Sequence, residues 1–387
     1  MDNVTHSLVG LLASKAGLER LSPKTTAVCI LAANAPDSDI VALLFGDRWT
    51  YLHHHRGITH SIIGTLVLAL IVPVAFYLFD RLVAGVRQRQ PRLRLNGLLA
   101  ASLVVSATHP LMDWTNNYGV RLLLPWSPRW FHGDLVFIVD PFLWLALGGA
   151  AFLLTSRGKW QLVFWLAAAL FLTYMVMVVS IRFSPDPYFV RRALWLIVLT
   201  GLVVGFKLNV RQKWGHKIAI AAFTMILLYC GGLAFLHALA LTEARNRAST
   251  IAIQNGEAVT DVAAMPSLAD PFQWQCIVET EKAAYWFEIS LLHRHAVLGN
   301  ADREDRAEPP GSQAVERAAQ DRRAQIFLEF ARFPVVRVVD ADCPTQTLVQ
   351  FADLRYTKPG SQRGTFALEI PIECQPGPAK SAINGNK

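Results

Sequence analysis

The apolar and polar positions divide the chain into two parts near residue 242. Before that point, apolar runs at 58–79, 97–112, 137–155, 160–181, 193–208 and 217–241 alternate with short polar links. A helix rises about 1.5 Å per residue and a bilayer core is about 30 Å thick, so about 20 apolar residues cross it. Run 97–112 is shorter and carries His109 and Pro110. The first 45 residues differ again. Stretches 7–18 and 25–35, joined by the polar link Glu19–Lys24, are each too short to cross, which predicts a helical hairpin packed on the bundle. Beyond 242 the helical pattern continues from Glu243 to Thr250. Strand-like runs follow at Trp274–Glu279, Tyr285–Leu292, Val335–Val339 and Phe366–Ile372, with helical spacing over 314–331. The charged, turn-rich segment Gly299–Gly311 reads as a loop. The expected fold class is mainly α: a polytopic membrane helical bundle over 1–242, a C-terminal soluble α+β domain over 243–374, and a disordered tail at 375–387.

Composition strengthens this division. The chain is 53% hydrophobic and 17% charged, against about 25% charged in an average soluble domain. Its net charge of +8 sits in the links between apolar runs rather than among aromatics on one element. That distribution favours contact with the lipid bilayer and argues against nucleic acid as a partner. The densest basic link holds Arg81, Arg87, Arg89, Arg92 and Arg94, which places it on the cytoplasmic side. By alternation, Arg157 with Lys159, and the group Lys207, Arg211, Lys213 and Lys217, also fall inside. Arg182, Arg191 and Arg192 in an outer loop run against the rule. The expected location is the inner (plasma) membrane, multi-pass, with residues 243–387 extracytoplasmic. The first residues, with Asp2, Lys15 and no basic n-region, do not read as a cleaved signal, so His6 is expected to be retained. Cys29 and Cys230 lie in apolar runs; Cys276, Cys343 and Cys374 can hold one disulfide if the C-terminal domain is extracytoplasmic, and the sequence does not say which pair, if any.

Four pieces carry chemistry: Thr5-His6-Ser7; Asn34-Ala35-Pro36-Asp37-Ser38-Asp39; His53 through Ser61; and His109-Pro110-Leu111-Met112-Asp113. The topology brings all four to one membrane face, the outer one. Ionisable groups near membrane depth are costly and persist where they pair, bind ions or meet water. Imidazole and carboxylate are the donor set of zinc and related divalent ions. His109 and Asp113, four apart, share one helix face. Asp37 and Asp39 can divide the work, one holding metal while the other bridges a second metal or takes a proton from activated water. Each piece alone has an ordinary reading. His6 fits a helix end, Asp37 and Asp39 fit solvated helix-terminal carboxylates, and the residues around His60 fit a helix cap. His109 with Asp113, inside an apolar run, resists such a reading. His132, Asp134 and Asp140 lie on the same side and can complete a second metal position, contact substrate or form an ordinary polar loop. Trp114, Trp126 and Trp130 fit an interfacial belt.

With Thr5-His6-Ser7, Pro36-Asp37-Ser38-Asp39, His54-His55-Arg56-Gly57-Ile58-Thr59-His60-Ser61 and His109-Pro110-Leu111-Met112-Asp113, the chain resembles the YdjM-type (DUF457-like) family of membrane-bound metal-dependent hydrolases over residues 1–180. Phe351-Ala352-Asp353-Leu354-Arg355-Tyr356 resembles the extension of longer members. The family is in turn remotely similar to zinc-dependent phospholipase C and P1-type nucleases. The resemblance implies ligand roles for His6, Asp37, His60, His109 and Asp113. His55 joins the expected metal set from the three-histidine run, and Asp37, Asp39 and Arg56 form the expected catalytic set, Arg56 steadying an anionic substrate. The N-terminal amine and Trp used by those enzymes are unmatched, so one or two ions, zinc by donor type, are expected rather than three. The expected activity is metal-assisted hydrolysis of an ester or phosphoester of a lipid or envelope molecule. The alternative is a non-catalytic membrane protein with a structural or regulatory metal and a partner-binding soluble domain. His-Glu-x-x-His, the mark of a zinc protease, is absent from the chain.

Overall fold

Asp2 starts the first helix, α1 (Asn3–Lys15), by accepting the Thr5 N–H at 2.9 Å, which satisfies one of the free donors at a helix start. The chain turns and returns as α2 (Thr25–Asn34). A Cβ on Gly10 would come within 2.6 Å of the Cys29 carbonyl oxygen, so glycine there lets the two helices touch backbone to backbone. This computed structural model describes residues 1–178, 189–292, 301–305, 313–339, 346–360 and 366–373.

The second arm differs from the sequence expectation. It continues as a 3-10 helix over Ala35–Leu44 with Pro36 in its first turn, where the missing proline N–H leaves no bond unmade. Thr25–Leu44 is thereby 20 residues of helix, long and apolar enough to cross a membrane. Four further helices among the described residues meet that standard: α4 (Ile62–Val86), α5 (Leu95–Trp114), α7 (Lys159–Met177) and α10 (Lys217–Asn255). Between them lie the short α3 (Arg48–His54), the 15-residue α6 (Pro141–Thr155), α8 (Phe189–Lys207) and the short α9 (Val210–Trp214). The protein is a polytopic membrane bundle.

Four hydrogen bonds fix one end of the bundle. The Arg94 N–H donates to Ser22 Oγ at 2.9 Å, and Asp80 accepts from the Arg89 guanidinium and from the N–H groups of Arg92 and Leu93. The hairpin link and the arginine-rich link therefore share an end. His6, Asp37, His60 and His109 gather at the other.

At 39 residues, α10 is about 58 Å long by its helical rise, nearly twice a bilayer core. Its first half packs into the bundle through Ala219 and Ala222. Its second half presents Ala240, Ala244 and Ala248, all buried, to a four-stranded antiparallel sheet. That sheet runs β1 (Val259–Ser267), β2 (Asp270–Thr280), β3 (Ala283–Ser290), β4 (Asp302–Asp305) in order. Side chains alternate across a strand: Trp274, Cys276 and Val278 of β2 face α10, while Ile277 faces the second sheet. The second sheet is β5 (Pro334–Val339), β6 (Gln346–Asp353), β7 (Ala367–Glu373), with α11 (Gln313–Ala319) and α12 (Arg322–Phe330) packed on it. The C-terminal region is α+β, as expected. Strands β1 and β6 lie outside the predicted runs, and β4 occupies part of the predicted loop. The single helix expected over 314–331 is broken where Asp321 caps α12 by accepting the Arg323 N–H at 2.7 Å. Cys276 is a buried free thiol. Cys343, Cys374 and the tail 375–387 lie outside the described residues.

The alanine spacing makes the second half of α10 intolerant of bulk. Ala244→Leu is expected to destabilise the α10–sheet contact by about 1–3 kcal/mol through overpacking. Thr242→Leu, on the exposed face, should leave thermal unfolding of the detergent-purified protein unchanged. Equal melting of the two variants would contradict this packing.

Candidate metal centre

The site is assembled from four segments. His6 comes from α1, Asp37 and Asp39 from the 3-10 segment Ala35–Leu44, His60 from a 3-10 turn at Ile58–His60, and His109 with Asp113 from successive turns of α5. That turn folds tightly against the start of α4. A Cβ on Gly64 would overlap the Ile58 carbonyl oxygen at 1.8 Å, and Ser61 caps α4 through the Gly64 N–H at 3.1 Å. The capping expected around His60 is thus real, and it sets the ring of His60 facing inward.

Asp37, His60, His109 and Asp113 each place one donor atom within 4.8 Å of all the others, a spacing one cation can bridge. His60 Nε2 lies 3.2 Å from Asp37 Oδ1 and 3.3 Å from Asp113 Oδ2. His109 Nε2 lies 3.6 Å and 3.3 Å from the same two oxygens. His6 stacks on His109 with ring centroids 3.7 Å apart, its Nε2 3.5 Å from Asp113 Oδ1. The Met1 backbone nitrogen also lies against Asp113 Oδ1, a contact absent from the sequence expectation.

Tautomers follow from the partners. His109 Nδ1 is 2.6 Å from the Ala33 carbonyl, which can only accept, so Nδ1 carries the proton and Nε2 turns a lone pair to the cluster. The buried atoms His109 Nε2, Asp113 Oδ2, Asp37 Oδ2 and both ring nitrogens of His6 have no hydrogen bond. Leaving one such group unpaired costs about 1–3 kcal/mol. Several together, all of ligand type, fit a divalent cation in their midst. The donor chemistry matches zinc or a related divalent metal.

Asp39 stands one layer back. It accepts the Arg56 N–H at 2.9 Å, lies 3.1 Å from His55 Nδ1 and 3.4 Å from His60 Nδ1. It also pins Arg56, whose φ of 50° is unusual for a residue with a side chain. His55 stacks on Tyr51 at 4.7 Å and meets the edge of His60 at 5.9 Å, so its ring lies outside the four-donor group. Arg56 is 3% exposed. Its Nη2 is 3.2 Å from Asp113 Oδ1, and Nη1 donates at 3.0 Å to Asn116 Oδ1 and to the Gly119 carbonyl. The guanidinium lies 4.6 Å over the Tyr118 ring. Burial pushes the Tyr118 hydroxyl well above its ordinary value, so it stays neutral beneath that charge.

The remaining candidates lie elsewhere. His132 contacts Arg355 at 3.2 Å, Asp134 pairs with Arg332 at 2.7 Å, and Asp140 caps α6 while accepting the Tyr229 hydroxyl at 2.9 Å. Of the expected belt, Trp126 is exposed, whereas Trp130 packs beside Tyr118 and Phe330 where the two domains meet. Asn116 and Tyr118 carry no motif in the sequence that marks them as part of the site. They sit immediately after the Asp113 helix, and that adjacency was the available signal.

A family model described as YdjM inner membrane protein matches residues 1–183, the region that holds every residue of the cluster. Inner membrane protein YbcI of Escherichia coli (strain K12) is 33% identical over 146 residues, 36% of this chain and 76% of YbcI. Uncharacterized protein YfhP of Bacillus subtilis (strain 168) is 29% identical over 156 residues, 38% of this chain and 44% of YfhP. The chain thus spans less than half the length of YfhP and about three-quarters of YbcI. No solved structure matches the chain. The spans, the match over the bundle and the likeness to YbcI agree: this chain belongs to the YdjM inner membrane protein family.

Proposed function

We propose that the chain is a membrane-bound metal-dependent hydrolase acting on an ester or phosphoester bond. The observation that carries this reading is the group of four donors, Asp37, His60, His109 and Asp113, buried or nearly so with ligand atoms facing one point. A divalent ion held there, zinc by donor type, supplies Lewis acidity and a lowered pKa for water. His109 and His60 offer imidazole nitrogens, and Asp113 and Asp37 offer carboxylate oxygens. His6 is close enough to join them. Asp37, the more exposed carboxylate at 14%, has a second oxygen free to take a proton. Asp39 orients His60 from behind, with His55 at its side. Arg56 holds Asp113 in place and brings positive charge toward an anionic substrate. Basic links at the far end support an extracytoplasmic position for the cluster and the C-terminal domain. A reporter fused to the C-terminus should be active only in its extracytoplasmic form; cytoplasmic activity would reverse that orientation.

The second reading is a structural or regulatory metal site. Complete burial of His60, His109 and Asp113 favours it, since closed sites are structural and open ones catalytic. Metal analysis of the purified protein, followed by a screen against phosphodiester and carboxylester lipids, separates the two. Bound metal with turnover supports the hydrolase, and bound metal without turnover supports the second. Asp39→Asn tests the supporting layer. It should weaken metal retention in a chelator competition by about 10–100-fold, and unchanged retention would remove Asp39 from any role at the metal.

A further inference from the structure

Outside the metal centre, the bundle carries two adjoining cavities. An apolar cavity of about 490 Å³ lies among α6, α7 and α8, walled by Trp144, Gly149, Phe152, Trp165, Ala169 and Leu202. Its rim residues Leu166, Leu170 and Val203 are exposed, so the cavity opens toward the surrounding bilayer. A second cavity of about 490 Å³ adjoins it, with Phe206 lining both. The second is polar: Ser156, Arg157, Lys207, Asn209, Arg211 and Gln212 surround it.

Orientation along the bundle is set by α6. At one end the Trp144 indole N–H donates to Thr5 Oγ1 at 2.8 Å, beside the metal cluster. At the other end α6 stops at Thr155, and Ser156 and Arg157 follow. From Trp144 to Phe152 the helix rises about 12 Å, a length suited to a hydrocarbon chain. The polar cavity then falls at the membrane boundary, on the end that carries the basic links.

Its cations are unspent. Arg157, Lys207 and Arg211 form no ion pair with any described carboxylate. Ser156 is 6% exposed and its Oγ has no hydrogen-bond partner, an unmet polar atom lining the cavity.

We propose that these joined cavities form a binding site for an anionic phospholipid, an acyl chain lying among α6, α7 and α8 and the phosphate meeting Arg157, Lys207, Arg211 and Ser156. The apolar half excludes free phosphate as the best occupant, since it leaves that half unfilled. The cationic half favours an anionic headgroup over a zwitterionic one. The site is separate from the metal centre and stands whether or not that centre is catalytic.

Native mass spectrometry of the full chain in detergent tests it, with phosphatidylglycerol and phosphatidylcholine as competing probes. The wild type should retain one phosphatidylglycerol per chain in preference to phosphatidylcholine. The triple variant R157Q/K207Q/R211Q should weaken phosphatidylglycerol retention by about tenfold or more with little effect on phosphatidylcholine. Ala169→Phe, which fills the apolar half, should weaken both lipids. Glycerol 3-phosphate at matched concentration should displace neither. Equal retention of the two lipids by the wild type, full phosphatidylglycerol retention by the triple variant, or displacement by glycerol 3-phosphate would each overturn the proposal.

Discussion

Replacing His109 by alanine is expected to strip the bound ion from the purified protein, lowering metal affinity by more than about 100-fold, beyond the usual effect of losing a supporting group. Turnover on any ester or phosphoester substrate should fall with it to background. Of the proposed ligands, His109 is the best placed because both its nitrogens have defined partners. Nδ1 is committed to the Ala33 carbonyl at 2.6 Å, and Nε2 faces Asp37 and Asp113. Losing the ring also removes the stacking partner of His6, so a second proposed ligand loosens. The bundle should survive, because α5 is held elsewhere by contacts such as Ser102 Oγ donating to the Ala69 carbonyl at 2.7 Å. The check is metal content per chain on monodisperse protein, paired with activity. Full metal content in His109→Ala would place the ion, and the chemistry, somewhere else.

The second large effect is expected at Arg355, where the C-terminal domain grips the membrane bundle. Arg355 and Asp353 are both wholly buried. The guanidinium pairs with Asp353 at 2.7 Å and donates to the carbonyls of Asn117 and Tyr118 at 2.9 and 3.2 Å, and to that of Phe330 at 2.9 Å. Arg355→Ala leaves Asp353 charged and unpaired in the interior, a loss of about 3–5 kcal/mol. Arg355→Lys should rescue little, since an ammonium cannot reproduce the planar fork. The consequence extends to the metal centre. Tyr118, which Arg355 anchors by its carbonyl, lies under Arg56, and Arg56 holds Asp113. Hydrogen exchange over 116–121 should rise sharply in Arg355→Ala; unchanged protection there would show that the domains dock without this residue.

The same contact gives a pH dependence. Burial first, and then the charges of Arg355 and Arg332, push His132 down to about 2. Its neutral Nε2 accepts from Arg355. Because the folded value lies below that of the unfolded chain, the unfolded state binds the extra proton. The stabilisation is present above about pH 6.5 and is lost as pH falls below it, by up to about 1.4 kcal/mol per pH unit. Melting temperature should therefore drop on acidification in the wild type and drop less steeply in His132→Phe.

Much of the candidate site was readable before any fold was known. Asp113 follows His109 by one helical turn, and charge in an apolar run demands a reason, so that pair announced itself. Positive-inside alternation then brought His60 to the same end, and the hairpin brought His6 and Asp37. What the pattern could not rank was depth. Asp37 and Asp39 look alike in sequence, yet a 3-10 segment turns Asp37 toward the cluster and sets Asp39 behind His60. His55 and His60 likewise differ only in which way a glycine-dependent turn aims each ring. In the C-terminal domain, β2, β3, β5 and β7 were legible as β-rich runs. Strand β6 was not, although its last residue, Asp353, begins the Asp353–Arg355 clamp.

The sequence alone determined that this protein lives in a membrane, where its polar clusters lie along the chain, and which side chains have the chemistry of ligands. Those properties are local: run length, residue type and spacing carry them. Only the tertiary structure decided which ligand atoms meet, that Arg56 serves Asp113 before any substrate, and that the C-terminal domain closes over Tyr118 through Arg355. These depend on contacts between residues far apart in the chain, such as Arg355 with Asn117 and His109 with Ala33. Such contacts form because burial leaves each polar group only the partners that the fold brings within reach.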